Sequence, residues 1–197
     1  KSVPEYKNPF HPSTYAHFVA RKDYRKTYDV YKDDTLLNRQ PKKSRKIFVC
    51  LDEQRGQYLV DGLVAMDFPL SSGVKAYPTK TGDYAVISKK EDHTSNLYGK
   101  MYDAEGKCIN YNAESTDPVP EGGRFDGSPM PYWQRLTNAG LGLHVGKVRR
   151  HPVSHGCVRL PRNVAEILYR QTSIGTPVTI RKTPLPVPEA QKVPAVQ

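Results

Sequence analysis

The Asp61-Gly62 dipeptide, set between two apolar runs, most narrows what this chain can fold into. Asp-Gly supplies left-handed backbone at both central positions of a two-residue loop. That geometry joins antiparallel strands without splaying them. It predicts a hairpin over residues 57–68. Residues 46–51, rich in Ile, Phe and Val, read as a strand buried on both faces. Turn chemistry follows at Gly73 and through Tyr77-Pro78-Thr79-Lys80-Thr81-Gly82, then an alternating strand over residues 83–88. Short strands at this density predict a mainly β domain.

Residues 103–129 carry Pro118, Pro120, Gly122-Gly123 and Gly127, and predict a long excursion over the sheet. Long loops in compact domains are often functional. Residues 135–145, with Leu136, Leu141 and Leu143, should return to the core. Residues 161–171 give the clearest helix, with Pro161 at its start and Val164, Ile167 and Leu168 on one face. Gly175-Thr176-Pro177 ends that unit, and residues 178–181 read as the last strand.

The two ends differ in composition from the middle. Residues 1–44 read as a solvated basic arm or linker, broken early by Pro4, Pro9 and Pro12, with Arg21-Lys22, Arg25-Lys26 and Lys42-Lys43-Ser44-Arg45-Lys46 as its charge clusters. Within it Tyr15, Phe18 and Val19 fit one helical face, with Ser13 as the cap. Residues 183–197, with Pro184, Pro186, Pro188 and Pro194, read as an extended or disordered tail. That leaves residues 45–182 as the main domain. The formal net charge of +10 favours an anionic partner. Nucleic acid, an acidic membrane surface and a wall polymer all qualify, and charge alone does not choose among them. No apolar stretch approaches membrane-spanning length. The first residue is Lys1 rather than Met, which admits a leader already removed. Cys50, Cys108 and Cys157 are too few for a disulfide scaffold. Cys157 reads as the free, reactive one. Cys50 reads as a strand thiol and Cys108 as a turn thiol; their pairing would need an oxidising compartment.

The chemistry concentrates in Gly142-Leu143-His144-Val145-Gly146 and Ser154-His155-Gly156-Cys157-Val158-Arg159-Leu160, with His151 between. Cys157 stands shortly before the predicted helix, whose N-terminal dipole favours a thiolate. Arg159 and an imidazole add to that field, which predicts a thiol pKa below the usual value of about 8.5. A thiolate with a positioned imidazole is an acyl-transfer nucleophile. Gly156 permits a tight turn, and the Gly156 and Cys157 amides could face a developing oxyanion. His144, His151, His155 and Cys157 are also zinc-ligand types, but their spacing matches no closed structural zinc pattern.

At these residues the chain resembles the L,D-transpeptidase catalytic domain family. Ser154-His155-Gly156-Cys157-Val158-Arg159 is similar to its active-site signature, and His144 matches the upstream histidine, with His151 as a competitor. Residues 68–73 followed by 77–82 resemble the family's Ser-x-Gly and Thr-Pro-Thr-Gly stretch, with Lys80 in place of Pro. Met130-Pro131-Tyr132-Trp133 resembles its lead-in to the site. The resemblance spans about residues 45–182. It implies a mainly β, sandwich-like catalytic domain with few helices, free of metal and cofactor, exported to the periplasm or cell envelope and serving wall biogenesis. It implies Cys157 as nucleophile, His144 as general base and acid, and Gly156 as an oxyanion donor. Ser154 and His155 would shape the turn, and Arg159, Tyr132 and Trp133 would bind substrate. The implied reaction moves the third residue of a peptidoglycan tetrapeptide stem onto Cys157 with release of D-Ala. An amine then accepts it: a neighbouring stem, an envelope lipoprotein lysine or a free D-amino acid. Nucleic acid is not an implied partner. Two other readings stay open. One is another cysteine acyltransferase such as a sortase-like enzyme, although the Thr-Leu-x-Thr-Cys motif is absent. The other is a non-catalytic peptidoglycan-binding module whose basic arm holds anionic polymer.

Overall fold

The computed structural model describes residues 6–42 and 44–195; Pro4 and Lys43 of the expected arm lie outside them. In chain order the first elements are α1 (Tyr15–Val19), β1 (Tyr31–Lys32), α2 (Asp34–Asn38), β2 (Arg45–Cys50), β3 (Arg55–Val60), β4 (Leu63–Pro69), β5 (Gly82–Ala85) and β6 (Ser88–Lys90). Then come β7 (Thr94–Tyr102), β8 (Cys108–Glu114), β9 (Arg124–Pro129), β10 (Trp133–Arg135), β11 (Gly142–Val145), β12 (Val158–Leu160), α3 (Arg162–Gln171) and β13 (Pro177–Arg181).

The Asp61-Gly62 hairpin forms as its chemistry requires. Both residues take positive φ, 51° and 81°, and Val60 pairs with Leu63 across the turn. β2 adds antiparallel to β3, and β13 lies parallel to β2, giving a six-stranded sheet of order β1-β4-β3-β2-β13-β5. A second sheet has the order β12-β11-β10-β6. Ile47, Val49, Met66, Phe68 and Ile180 of the first sheet share one core with Leu143, Val158 and Leu160 of the second. Val164, Ala165 and Leu168 of α3 complete it. Each such side chain, fully buried, contributes about 1.5–3 kcal/mol. The result is the mainly β domain that the strand pattern predicts, with the sandwich-like form that the family resemblance implies.

Alternation then dictates the other face of the second sheet. Leu143 points into the core, so His144 points out; Val158 and Leu160 point in, so Arg159 points out; Gln134 is buried between Trp133 and Arg135. The site is built on that outer face.

Several expectations change. The stretch over residues 83–88 is not one strand. It breaks at buried Val86, with β5 joining the first sheet and β6 the second. Residues 103–129 are not a loose excursion: β8 and β9 flank β7 in a three-stranded antiparallel sheet, with Pro118, Pro120 and Gly122-Gly123 in the β8–β9 connection and Gly127 inside β9 opposite Gly99. Cys157 leads into β12, and α3 begins only at Arg162, so the helix dipole does not reach the thiol.

The described part of the arm packs on the domain. β1 extends the first sheet through Tyr31 opposite Asp67. α1 is capped by Thr14, whose hydroxyl accepts from the His17 N–H, while Ser13 meets His11 instead. Tyr15, Phe18 and Tyr24 cluster with Val64, Leu185 and Val187, and α2 places Leu36 and Leu37 in the main core. At the centre lies Asp67, fully buried. It accepts from Arg55 Nε, from Tyr15 and Tyr24 hydroxyls at 2.7 and 2.8 Å, and from Gln57 at 2.9 Å. The tail docks too: the Gln191 amide bonds both backbone groups of Val64.

Candidate active site

Residues 154–157 form a turn fixed from several sides. The Ser154 hydroxyl accepts from the Gly156 N–H at 3.2 Å and donates to the Cys157 carbonyl. Gly156 sits at φ +113°, a conformation that a side chain would strain. Beneath it, the Thr79 hydroxyl donates to the Gly156 carbonyl at 2.6 Å and accepts from the Gly73 N–H at 2.8 Å. A Cβ on Gly73 would fall 2.1 Å from the Tyr77 carbonyl and 2.8 Å from the Gly156 Cα, so only glycine fits. The Ser-x-Gly and Thr-x-x-Gly stretches are therefore a cradle for the cysteine turn. Because Ser154 holds the Gly156 N–H, that amide is not free to meet an oxyanion as the sequence suggests.

Cys157 lines a cavity of about 880 Å³ together with His144, Arg159, Trp133, Tyr98 and Tyr111. The second sheet supplies its floor and the three-stranded sheet its opposite wall. The Cys157 thiol donates to the Gly140 carbonyl at 3.2 Å. Burial pushes its pKa up, against smaller opposing effects from the Gly142 backbone and Arg159. This reverses the expectation of a lowered thiol pKa, because removal from water outweighs the nearby cation. His144 is also buried, and burial drives its pKa down to about 4. Its Nδ1 lies 2.7 Å from the Val145 carbonyl. A carbonyl only accepts, so Nδ1 carries the proton and Nε2 is left as an acceptor. Both shifts favour the neutral forms, a thiol at Cys157 and an imidazole at His144.

The other candidates separate clearly. His155 stacks on Tyr98, with centroids 4.3 Å apart and planes 17° apart, and contacts Tyr77 at 4.9 Å. It is a platform residue. His151 is exposed and outside the cavity. Arg159 lines the cavity with its stem against Gly146, where a Cβ would come within 2.7 Å. Trp133 is a cavity wall, 6.0 Å from the His144 ring. Tyr132 is not in the cavity. At φ 54° it turns away to pack on Tyr169 at 5.6 Å, with Arg162 over its ring. No local motif points to His93, which stacks on Trp133 at 5.0 Å, or to Tyr98 and Tyr111. The abundance of tyrosine, 13 residues, hints at a half-wet cleft without saying which residues line it.

A three-sheet β domain that sets a cysteine and an imidazole of fixed tautomer on one cavity has the parts of a cysteine acyltransferase. The chain belongs to the L,D-transpeptidase catalytic domain family, whose sequence profile matches residues 44–180. Probable L,D-transpeptidase 3 of Mycobacterium tuberculosis is 31% identical over 121 residues, covering 58% of this chain and 38% of that protein. The chain thus spans well under half of that relative's length. Among solved structures, an L,D-transpeptidase from Mycobacterium smegmatis superposes with a TM-score of 0.54 at 22% identity, over 70% of this chain and 58% of the other. An Enterococcus faecium L,D-transpeptidase, solved as a mutant, gives 0.51 at 28% identity, over 71% and 50%.

Proposed function

We propose that this chain is a peptidoglycan L,D-transpeptidase of the bacterial envelope, using Cys157 as nucleophile and His144 as base and acid. The observation that carries the reading is the hydrogen bond from His144 Nδ1–H to the Val145 carbonyl. It fixes the tautomer that leaves Nε2 free to take a proton on a cavity that also holds Cys157.

The neutral resting pair sets the order of events. When a tetrapeptide stem seats, His144 Nε2 takes the Cys157 proton as sulfur bonds to the carbonyl carbon of the third residue. The Cys157 N–H is the amide of this turn left to stabilise the resulting oxyanion, since Ser154 holds the Gly156 N–H. The C–N bond to terminal D-Ala breaks, and His144 returns the proton to the departing amine. An acceptor amine then attacks the thioester and gives its proton to His144, and sulfur leaves to regenerate the thiol. The acceptors in view are a neighbouring stem, an envelope lipoprotein lysine and a free D-amino acid. The Arg159 guanidinium on the same cavity suits a stem carboxylate. Among the described residues no helix is long and apolar enough to cross a membrane.

The test is D-Ala release from a soluble tetrapeptide stem. Cys157→Ala should abolish it, while Cys50→Ser and Cys108→Ser keep it. Release by Cys157→Ala protein at the native rate would end this reading.

A further inference from the structure

The outer face of the second sheet continues past the reaction cavity. Across β6 and β10, Lys90 faces Trp133 and Ser88 faces Arg135. Across β10 and β11, Gln134 faces Leu143 and Arg135 faces Gly142, which sets Trp133 opposite His144. Across β11 and β12, His144 faces Arg159. Lys90, Trp133, His144 and Arg159 therefore stand in one row, with Arg135 in the row beside Lys90. Three strand spacings of roughly 4.8 Å separate the ends of that row by about 14 Å. Both ends are cationic and the candidate base lies between them.

Beyond Trp133 the face opens into a second hollow of about 560 Å³, which shares His93, Trp133, Arg135 and Asn138 with the reaction cavity and adds Ser88 and Lys90 among others. Lys89 also borders it, but its ammonium is taken up by the Tyr169 and Thr172 carbonyls. Among the described residues, Lys90 and Arg135 have no ion pair and no side-chain hydrogen bond. Both cations weigh, after burial, on the neighbouring His93 ring and push its pKa down. Two cations left without counter-charge beside hydroxyl and amide groups make a receptor for a small anion.

We propose that this hollow is an anion subsite that takes a carboxylate of a peptide stem, on the side of Trp133 away from Cys157. The proposal rests on the transpeptidase reading for the identity of the ligand. The length fits: four residues, fully extended, reach at most about 14 Å, the distance between the two cationic ends. A stem laid across the row places one carboxylate toward Arg159 and another between Lys90 and Arg135, with its reacting centre over the His144 and Cys157 region.

The test uses Cys157→Ala protein, so that binding is read without turnover. Calorimetry compares a soluble tetrapeptide stem with free carboxylates against the same peptide fully amidated. The free-acid peptide should bind roughly ten-fold tighter or more, the scale of one charge-assisted contact. Adding Lys90→Gln and Arg135→Gln should cut that preference roughly ten-fold, to what Arg159 alone supplies, while leaving the amidated peptide unchanged. A preference undiminished by both substitutions would overturn the subsite, as would equal weakening of the two peptides or the absence of any preference. In Cys157-containing protein, the same pair of substitutions should raise KM for whichever stem, donor or acceptor, occupies the hollow, with kcat kept. A Cys157 protein that forms no thioester at all would defeat the functional reading instead, which the binding comparison does not depend on.

Discussion

Replacing Asp67 with Asn is the sharpest probe of how the N-terminal segment is built into the domain. The substitution keeps the shape but removes the charge opposite Arg55, and both side chains are fully buried. Leaving one member of a buried pair unmatched costs about 3–5 kcal/mol. The Tyr15 and Tyr24 hydroxyls also lose a charged acceptor. Burial and Asp67 hold both phenols well above the ordinary tyrosine pKa, so they remain donors. Hydrogen bonds to a charged group are worth about 1.5–3 kcal/mol each, and these overlap with the pair rather than add to it. The expected loss is therefore about 3–5 kcal/mol for Asp67→Asn and about 1–3 kcal/mol for Tyr15→Phe or Tyr24→Phe. For a chain of this size that lowers the thermal midpoint by roughly 6–20 °C in Asp67→Asn. Urea unfolding with an unchanged slope would measure it. A loss under about 1 kcal/mol would refute the view that this network fastens residues 15–31 to the sheet.

Three further outcomes follow from the site. The His144 pKa of about 4 lies below its unfolded value near 6.5, so the unfolded chain binds more protons between those limits. Stability should be full above about pH 6.5 and fall by about 3 kcal/mol as pH drops toward 4; urea midpoints across that window should flatten in His144→Gln, and a wild-type curve already flat there would contradict the burial argument. Alkylation of Cys157 by iodoacetamide should rise only in the alkaline range, as for a half-buried thiol whose pKa is pushed up, and His144→Ala should leave the profile in place; a plateau at low pH would mean a preformed thiolate. Arg150, at φ 56° in the loop before Ser154, donates to the Thr27, Tyr24 and Glu53 carbonyls. Arg150→Ala should lower kcat/KM roughly ten- to hundred-fold by loosening the nucleophile turn, with partial rescue by Lys; unchanged kinetics would make the anchor irrelevant to the turn.

What could be read in advance depended on whether the signal was local. Asp61-Gly62, Pro161 with its apolar face, and the Ile-Phe-Val strand announce themselves because turn and periodicity rules act over a few residues. β8 hides because its strand is largely wet: Ile109, Tyr111 and Asn112 are exposed, so no alternation marks it. The N-terminal segment reads as a solvated arm because its charges outnumber its aromatics. The contrary sign was Asp67, a carboxylate inside the apolar run of β4, which had to find a partner such as Arg55. The cysteine turn was legible by residue type, yet its electrostatics were not. Burial sets the Cys157 and His144 pKa directions, and the Ser154 bond to the Gly156 amide exists only in three dimensions.

The central claim is that a peptide stem passes through a covalent intermediate on Cys157. Intact-mass measurement after incubation with a tetrapeptide stem tests it directly. The account predicts an adduct equal to the stem minus terminal D-Ala, located at Cys157, labile to hydroxylamine and strongly reduced by His144→Ala but not by substitution of His151. Protein that stays unmodified while still co-sedimenting with cell wall, or an adduct on any other residue, would contradict it.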